Sequence, residues 1–527
     1  MTNYQFTGGT ICAPATIPGT GAISIIRVSG KESLAIADKV IDTKGVPIAE
    51  TEGYRLRYGT VFEADGIVLD NVIVSVFRAP HSYTGENSVE ISCHASRFIV
   101  NKILELLVNA GARIAAPGEF TRRAFVNGKM DLAQAEAVAD VITSQSAASH
   151  RVAMNQLKGG FSSELKVLRE KLLTMTSLLE LELDFSEEDV EFASRKELGQ
   201  LVDDSLTHIG RLTASFSRGN AIKNGVPVAI VGATNTGKST LLNALLGEER
   251  AIVSDIAGTT RDTIEETLNI DGILFRFIDT AGIRETDETI EKIGIDRTFK
   301  KLGEAAVVLG MTDLSRGEAA VLEDADFILS KVNEMGGVKN VGEIDGSETG
   351  GASQHGHGDG QERKVVILVN KCDVAGDFYR DDNGTGDGSG NDLGENMAEI
   401  GGNKNVNHNN NIVSLIENKY DNCKVIPISA KTGKGLSTLT KALGEIGSEI
   451  TGSTDETLVT NVRHYEALVR AASALERVRA GLHIATLPPD LIAQDLREAL
   501  YHLGEIVGEI STDETLGNIF RNFCIGK

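Results

Sequence analysis

The segment Gly232-Ala-Thr-Asn-Thr-Gly-Lys-Ser239 holds the residue types and spacing that most directly imply chemistry. It fits the pattern GxxxxGK[ST], follows the apolar run VPVAIVG and precedes the helical run STLLNALLG. Its glycines allow backbone N–H groups to face phosphates at a helix N-terminus. Lys238 then reaches the β/γ oxygens, the Ser239 hydroxyl ligates Mg²⁺, and Thr236, Gly237 and Thr240 complete the cradle. Asp279-Thr280-Ala281-Gly282 follows another apolar run, placing Asp279 in the outer shell of magnesium and the Gly282 N–H at the γ-phosphate. Asn370-Lys371-Cys372-Asp373 ends a further strand. A carboxylate there accepts two N–H bonds from guanine, whereas adenine presents no such donor pair, so the site selects GTP over ATP. Ser429-Ala430-Lys431 adds backbone contacts to the guanine oxygen, and Gly258-Thr-Thr-Arg-Asp262 stands at the first switch, where Thr260 ligates Mg²⁺ while GTP is bound. Each piece alone could be an ordinary strand-end turn; all five in this order could not.

Two positions narrow the mechanism. Ile283 follows Asp-Thr-Ala-Gly where many GTPases carry a water-orienting Gln. Something else must position the water, and no Arg is an obvious finger, with Arg261 and Arg284 left open for that role. Asn235 lies inside the phosphate loop, and two readings stand for it: a monovalent-cation ligand supplying positive charge beside the phosphates, or a small polar loop residue.

The elements around these motifs define a multidomain α+β and α/β protein. Residues 1–120 mix short strands (ISIIRVSG, NVIVSVF) with a helix over 95–111, a small α+β domain. Residues 121–222 and 451–527 are rich in helix formers with apolar positions three and four apart, such as Leu468, Leu475, Val478 and Leu482. Each half exposes an apolar stripe the other can cover, which predicts one discontinuous helical domain. Between them, residues 223–450 alternate buried-strand runs with helical patterns, predicting a parallel sheet with helices on both faces. The strand candidates are 226–232, 274–282, 305–313, 365–371 and 425–431, and Gly310 is expected to weaken its strand slightly. Stretches near 336–363 and 376–411 are polar and Gly-rich, and are expected to be disordered loops, with His355 and His357 solvated.

Composition bounds the functions. Lys+Arg is 52 and Asp+Glu 75, a net charge of −23, which argues against nonspecific coating of nucleic acid. No two of the five cysteines form a CxxC pair, so reduced thiols in a cytoplasmic protein are expected. No run approaches the roughly 18 apolar residues of a membrane helix, and the N-terminal stretch has no targeting pattern.

Together with ISIIRVSG, SYTGENSVE, PGEFTRRAFVNGKMDLAQAEA, ELELDFSEEDVEF and the terminal FCIGK, these motifs resemble the MnmE (TrmE) family of tRNA-modification GTPases over nearly the whole chain. The resemblance implies a potassium-stimulated GTPase whose GTPase domains dimerise. By motif match, Ser254, Asp255, Ile256, Ala257, Gly258, Thr259 and Thr260 join the GTP-contacting set. Asn235, Ser254, Ile256 and Thr259 would surround potassium, Lys238 and Thr260 would act in catalysis, and Glu291 would help orient the attacking water. Read without the family, Glu291 is an exposed helix carboxylate. The N-terminal domain would dimerise and bind 5-formyl- or 5,10-methylene-tetrahydrofolate through Arg27, Glu90, Lys129 and Lys527. Basic groups suit the glutamate tail and a carboxylate suits the pterin N–H edge. With an FAD-containing MnmG-type partner, the family installs an aminomethyl-type (carboxymethylaminomethyl) group at carbon 5 of the wobble uridine of certain tRNAs. Cys524 is either a nucleophile or a small idle residue, with only Lys527 nearby in sequence to lower its pKa. The chain departs from the family at His94-Ala95-Ser96 and in the two polar stretches, which lengthen loops on the guanine side. Two other readings share these motifs: a regulatory GTP switch in ribosome assembly, and a folate-binding module whose GTPase only gates a partner.

Overall fold

The computed structural model describes residues 8–63, 65–184, 194–249, 266–278, 305–334, 363–373, 408–420, 423–452, 456–482, 489–521, 523 and 526. The chain forms two compact units: residues 1–144, 150–216 and 455–527 make one, and 145–149 with 217–454 the other. The outer unit begins with a mixed sheet. Its strands are β1 (Ile11–Pro14), β2 (Ile23–Ser29), β3 (Ile41–Asp42), β4 (Arg55–Phe62), β5 (Val68–Phe77), β6 (Ser88–His94) and β7 (Arg113–Ile114), in the order β3-β4-β5-β6-β2-β1-β7. All pairings are antiparallel except β1 with β7. Residues alternate along β5: Val72, Val74 and Val76 are buried between more exposed neighbours. One face therefore packs under helices α1 (Ser33–Val40) and α2 (Arg97–Asn109) through Ile36, Ile103 and Leu107. The opposite face presents Arg27 of β2 directly across from Glu90 of β6.

The chain then turns helical: α3 (Glu119–Val126), α4 (Leu132–Thr143), α5 (Ala147–Leu157), α6 (Gly160–Asp184) and α7 (Arg195–Ala214). A reciprocal capping box starts α4, with the Asp131 side chain accepting from the Gln134 N–H and Gln134 returning to the Asp131 N–H.

The inner unit starts with α8 (Phe216–Asn224) and continues through β8 (Val226–Gly232), α9 (Lys238–Glu249), β9 (Glu266–Ile270), β10 (Ile273–Ile278), β11 (Val307–Asp313), α10 (Glu318–Glu334), β12 (Lys364–Asn370), α11 (His408–Lys419), β13 (Cys423–Pro427) and α12 (Leu436–Thr451). Strand order is β13-β12-β11-β8-β10-β9. The strands run parallel apart from β9, which pairs antiparallel with β10. That edge strand was not among the sequence candidates. Its ETLNI pattern is short and half-polar, as an edge exposed on one side requires. Leu241, Leu245, Leu439 and Leu443 of α9 and α12 pack on one face, and Val321, Ile328, Leu329 and Ile416 of α10 and α11 on the other.

One further expectation needs correction. Residues 408–411, the end of the second polar stretch, open helix α11, which Ile416 anchors at 1% exposure. At Gly310 a Cβ would lie 2.7 Å from Ile367 Cδ1 and 3.1 Å from Ile328 Cγ2, so the glycine lets α10 approach the sheet. The rest of both polar stretches, His355 and His357 included, lies outside the described residues.

Helices α13 (Val462–Leu482), α14 (Pro489–Val507) and α15 (Asp513–Arg521) return the chain to the outer unit. Leu468, Leu475 and Val478 are fully buried there against Leu172, Leu198, Ile209 and Leu496. An ionic cluster ties the returning half to the first. Arg463 of α13 forks onto both oxygens of Glu136 on α4 at 2.9 Å each and also donates to the Glu505 and Ile506 carbonyls near the end of α14. His464, buried and stacked on Phe161, meets the same carboxylate at 2.6 Å. Burial alone would push the Glu136 carboxyl up; His464 and Arg463 outweigh it and hold it at about 2.

Candidate nucleotide-binding site

The loop between β8 and α9 has the backbone that phosphate binding needs. Gly232 sits at φ +156°, and a Cβ there would overlap the Met311 carbonyl of β11. Gly237 sits at φ +98°, and a Cβ there would overlap the Asn370 side-chain nitrogen. Asn235 takes φ +62°, a left-handed conformation that Asn tolerates better than most residues. Thr236 is fully buried and its hydroxyl donates to the Ala233 carbonyl at 2.9 Å. Lys238 Nζ folds over the loop, donating to the carbonyls of Gly232 at 2.9 Å and Ala233 at 2.8 Å, and burial lowers its pKa. Ser239 and Thr240 follow in the first turn of α9, where the helix end favours an anion.

The base side is assembled from three strand ends. Asn370, at the end of β12, donates from Nδ2 to the Thr236 carbonyl at 2.7 Å and accepts the Ala430 N–H on Oδ1 at 3.0 Å. One buried amide thus joins the phosphate loop to the Ser429-Ala430-Lys431 loop. Lys371 takes φ +64° and its ammonium reaches Asp313 at the end of β11 at 2.6 Å. The Cys372 N–H donates to the Ile428 carbonyl. A hydrogen bond from Ser429 holds the Asp373 carboxyl below its ordinary range, with Lys431 adding to the effect. Ser429 itself is fully buried, and its hydroxyl accepts the Thr432 N–H at 3.3 Å. The phosphate and base motifs, distant in sequence, therefore form one hydrogen-bonded site. Its positive-φ glycines have no room for a side chain, and its lysine and helix N-terminus fit a nucleoside triphosphate.

Several predicted site residues lie outside the described residues: Ser254, Asp255, Ile256, Ala257, Gly258, Thr259, Thr260, Asp279, Thr280, Ala281, Gly282, Glu291, Cys524 and Lys527. Among the described residues no cluster of three or more His, Cys, Asp or Glu side chains could hold a metal.

A second cluster lies in the outer unit. Arg27 pairs with Glu90 at 2.8 Å, and its guanidinium lies 5.1 Å from the Tyr83 ring centre and 5.7 Å from that of Phe120. The Tyr83 hydroxyl bonds to Thr121 at 2.8 Å, and burial raises its pKa against the pull of Thr121 and Arg27. Lys129 Nζ donates to the Pro80 carbonyl at 3.0 Å, and its stem runs beside Gly85. Near the C-terminus, Gly526 lies so close to the Pro14 carbonyl that a Cβ would overlap it. Tyr83, Phe120 and Asp313 were not singled out from the sequence. Tyr83 stands inside SYTGENSVE and Phe120 inside PGEFTRR, but nothing local says that either ring faces Arg27.

Comparison with known proteins agrees with the geometry. A family profile described as GTP-binding protein TrmE N-terminus matches residues 10–129, and one described as MnmE helical domain matches residues 132–524. A protein of Parabacteroides distasonis named tRNA modification GTPase MnmE is 46% identical over 98% of this chain and 100% of its own. Proteins of the same name from Bacteroides thetaiotaomicron and Flavobacterium johnsoniae are 45% and 46% identical, each over 98% of this chain and 99% of theirs. The fold and site are those of a multidomain protein carrying a P-loop nucleotide-binding domain with a guanine-type base motif. The chain belongs to the MnmE (TrmE) family.

Proposed function

We propose that the protein hydrolyses GTP and uses that hydrolysis in tRNA modification. It acts as a homodimer with an FAD-dependent MnmG-type partner, in the cytoplasm, installing a carboxymethylaminomethyl-type group at carbon 5 of the wobble uridine. The observation that carries the reading is the Asn370 amide, which joins the phosphate loop to the base-side loop within a chain of this family. Lys238 exchanges its two loop carbonyls for β/γ oxygens when the triphosphate enters. Ser239 and Thr260 hold Mg²⁺, Asp373 accepts the guanine N–H pair, and Glu291 orients the attacking water. Potassium, held by Asn235, Ser254, Ile256 and Thr259, would supply positive charge beside the phosphates. Arg27, Glu90, Lys129 and Lys527 hold a 5-formyl- or 5,10-methylene-tetrahydrofolate that supplies the one-carbon unit. The Arg27–Glu90 pair, with the half-buried Tyr83 ring beside it, offers charge and one ring edge that suit a folate.

Hydrolysis measured at equal ionic strength in potassium and in sodium tests the cation assignment. Potassium is expected to accelerate the reaction about tenfold or more, and Asn235→Ala to abolish the difference. Equal rates in both salts would remove potassium from the mechanism.

A further inference from the structure

We propose that Asp313 is the positioning residue for the base end of this site, fixing Lys371 and, through it, the turn that presents Asp373. The inference rests on the GTP reading and adds a residue to it.

Asp313 ends β11 directly across from Asn370 on β12, so it stands at the root of the base motif. Its side chain is 7% exposed and both its oxygens are engaged. Oδ2 accepts from Lys371 Nζ at 2.6 Å, while Oδ1 accepts the Ser315 N–H at 3.0 Å and the Ser315 hydroxyl at 2.6 Å. Burial opposes ionisation, but the bonds from Lys371 and Ser315 outweigh it and hold the carboxyl below its ordinary range.

Lys371 is the residue this anchor grips, and it takes φ +64°, where an L residue is strained. The chain turns there: Asn370 is still in β12, the Cys372 N–H already bonds to Ile428, and Asp373 reaches Ser429. A strained turn persists when its surroundings over-determine it. The 2.6 Å ion pair is one such restraint, and a charge-assisted bond of this kind is stronger than a neutral one. Releasing Lys371 should therefore loosen the turn and cost nucleotide affinity, while the phosphate loop stays intact.

Asp313→Asn removes the charge but leaves a side-chain oxygen for the Ser315 turn, which separates positioning from folding. The test measures fluorescent-GDP dissociation constants and GTP kcat and KM for the full chain, Asp313→Asn, Lys371→Ala and the double variant. Asp313→Asn is expected to raise both the GDP constant and the GTP KM about tenfold, with kcat at saturating GTP changed less than about twofold. Lys371→Ala should show a similar loss, and Asp313→Asn added to it should cost less than about twofold more. Wild-type affinity in Asp313→Asn would overturn the proposal, as would an undiminished loss in the Lys371→Ala background, or a loss confined to kcat. If Asp313→Asn fails to fold, Lys371→Ala alone decides: wild-type GDP affinity there also overturns it. A parent protein that binds no GDP would overturn the GTP reading and this inference with it.

Discussion

Gly237 and Gly232 have no room for a methyl group, for different reasons. At Gly237 the obstacle is the Asn370 amide, which itself holds two bonds of the site; at Gly232 it is the backbone carbonyl of Met311. Gly237→Ala also forces a side chain onto φ +98°. It is expected to weaken GDP binding at least about a hundredfold, roughly 2.7 kcal/mol, as read by fluorescent-nucleotide titration, with far-ultraviolet circular dichroism unchanged. In the outer unit Arg27 is held by Glu90 and two rings, so Arg27→Ala removes a charge and unpairs Glu90 together. Calorimetric titration with 5-formyl-tetrahydrofolate should then show at least about a tenfold loss of affinity, with GTP hydrolysis unaffected. Unchanged folate affinity would take Arg27 out of that site.

Elements show what could be read from the sequence and what could not. The phosphate loop was legible because strand, loop and helix are contiguous, and the parallel strands because both their faces are buried. Strand β9 escaped because an edge strand carries less apolar signal. The Glu136–Arg463–His464 cluster escaped because Glu136 and its partners lie 327 and 328 residues apart, and no local pattern records such a pairing. Asp313 escaped for the same reason, its partner being 58 residues away. The ionic cluster makes a pH prediction. Glu136 is lowered from an ordinary 4.5 to about 2, so its contribution is fully present above about 4.5 and is lost as pH falls through about 2. A shift of that size corresponds to about 3 kcal/mol. Urea unfolding followed from neutral pH down to about 2 should show Glu136→Gln less stable at neutral pH and less sensitive to acid. Parallel curves for variant and parent would contradict the assignment. Gly310→Val tests the helix approach to β11: overpacking against Ile367 and Ile328 should cost about 1–3 kcal/mol in the same assay.

At the scale of the whole molecule, a net charge of −23 makes this chain a poor general ligand for nucleic acid. No helix among the described residues is long and apolar enough to cross a membrane. The central claim joins the nucleotide site to tRNA modification, and mass spectrometry of tRNA nucleosides from a strain lacking this gene tests it most directly. The carboxymethylaminomethyl-type wobble-uridine derivatives should vanish, return with the intact gene, and stay absent when Lys238→Ala is supplied instead. Derivatives that persist unchanged in the deletion strain, with no second copy of the gene present, would contradict the account.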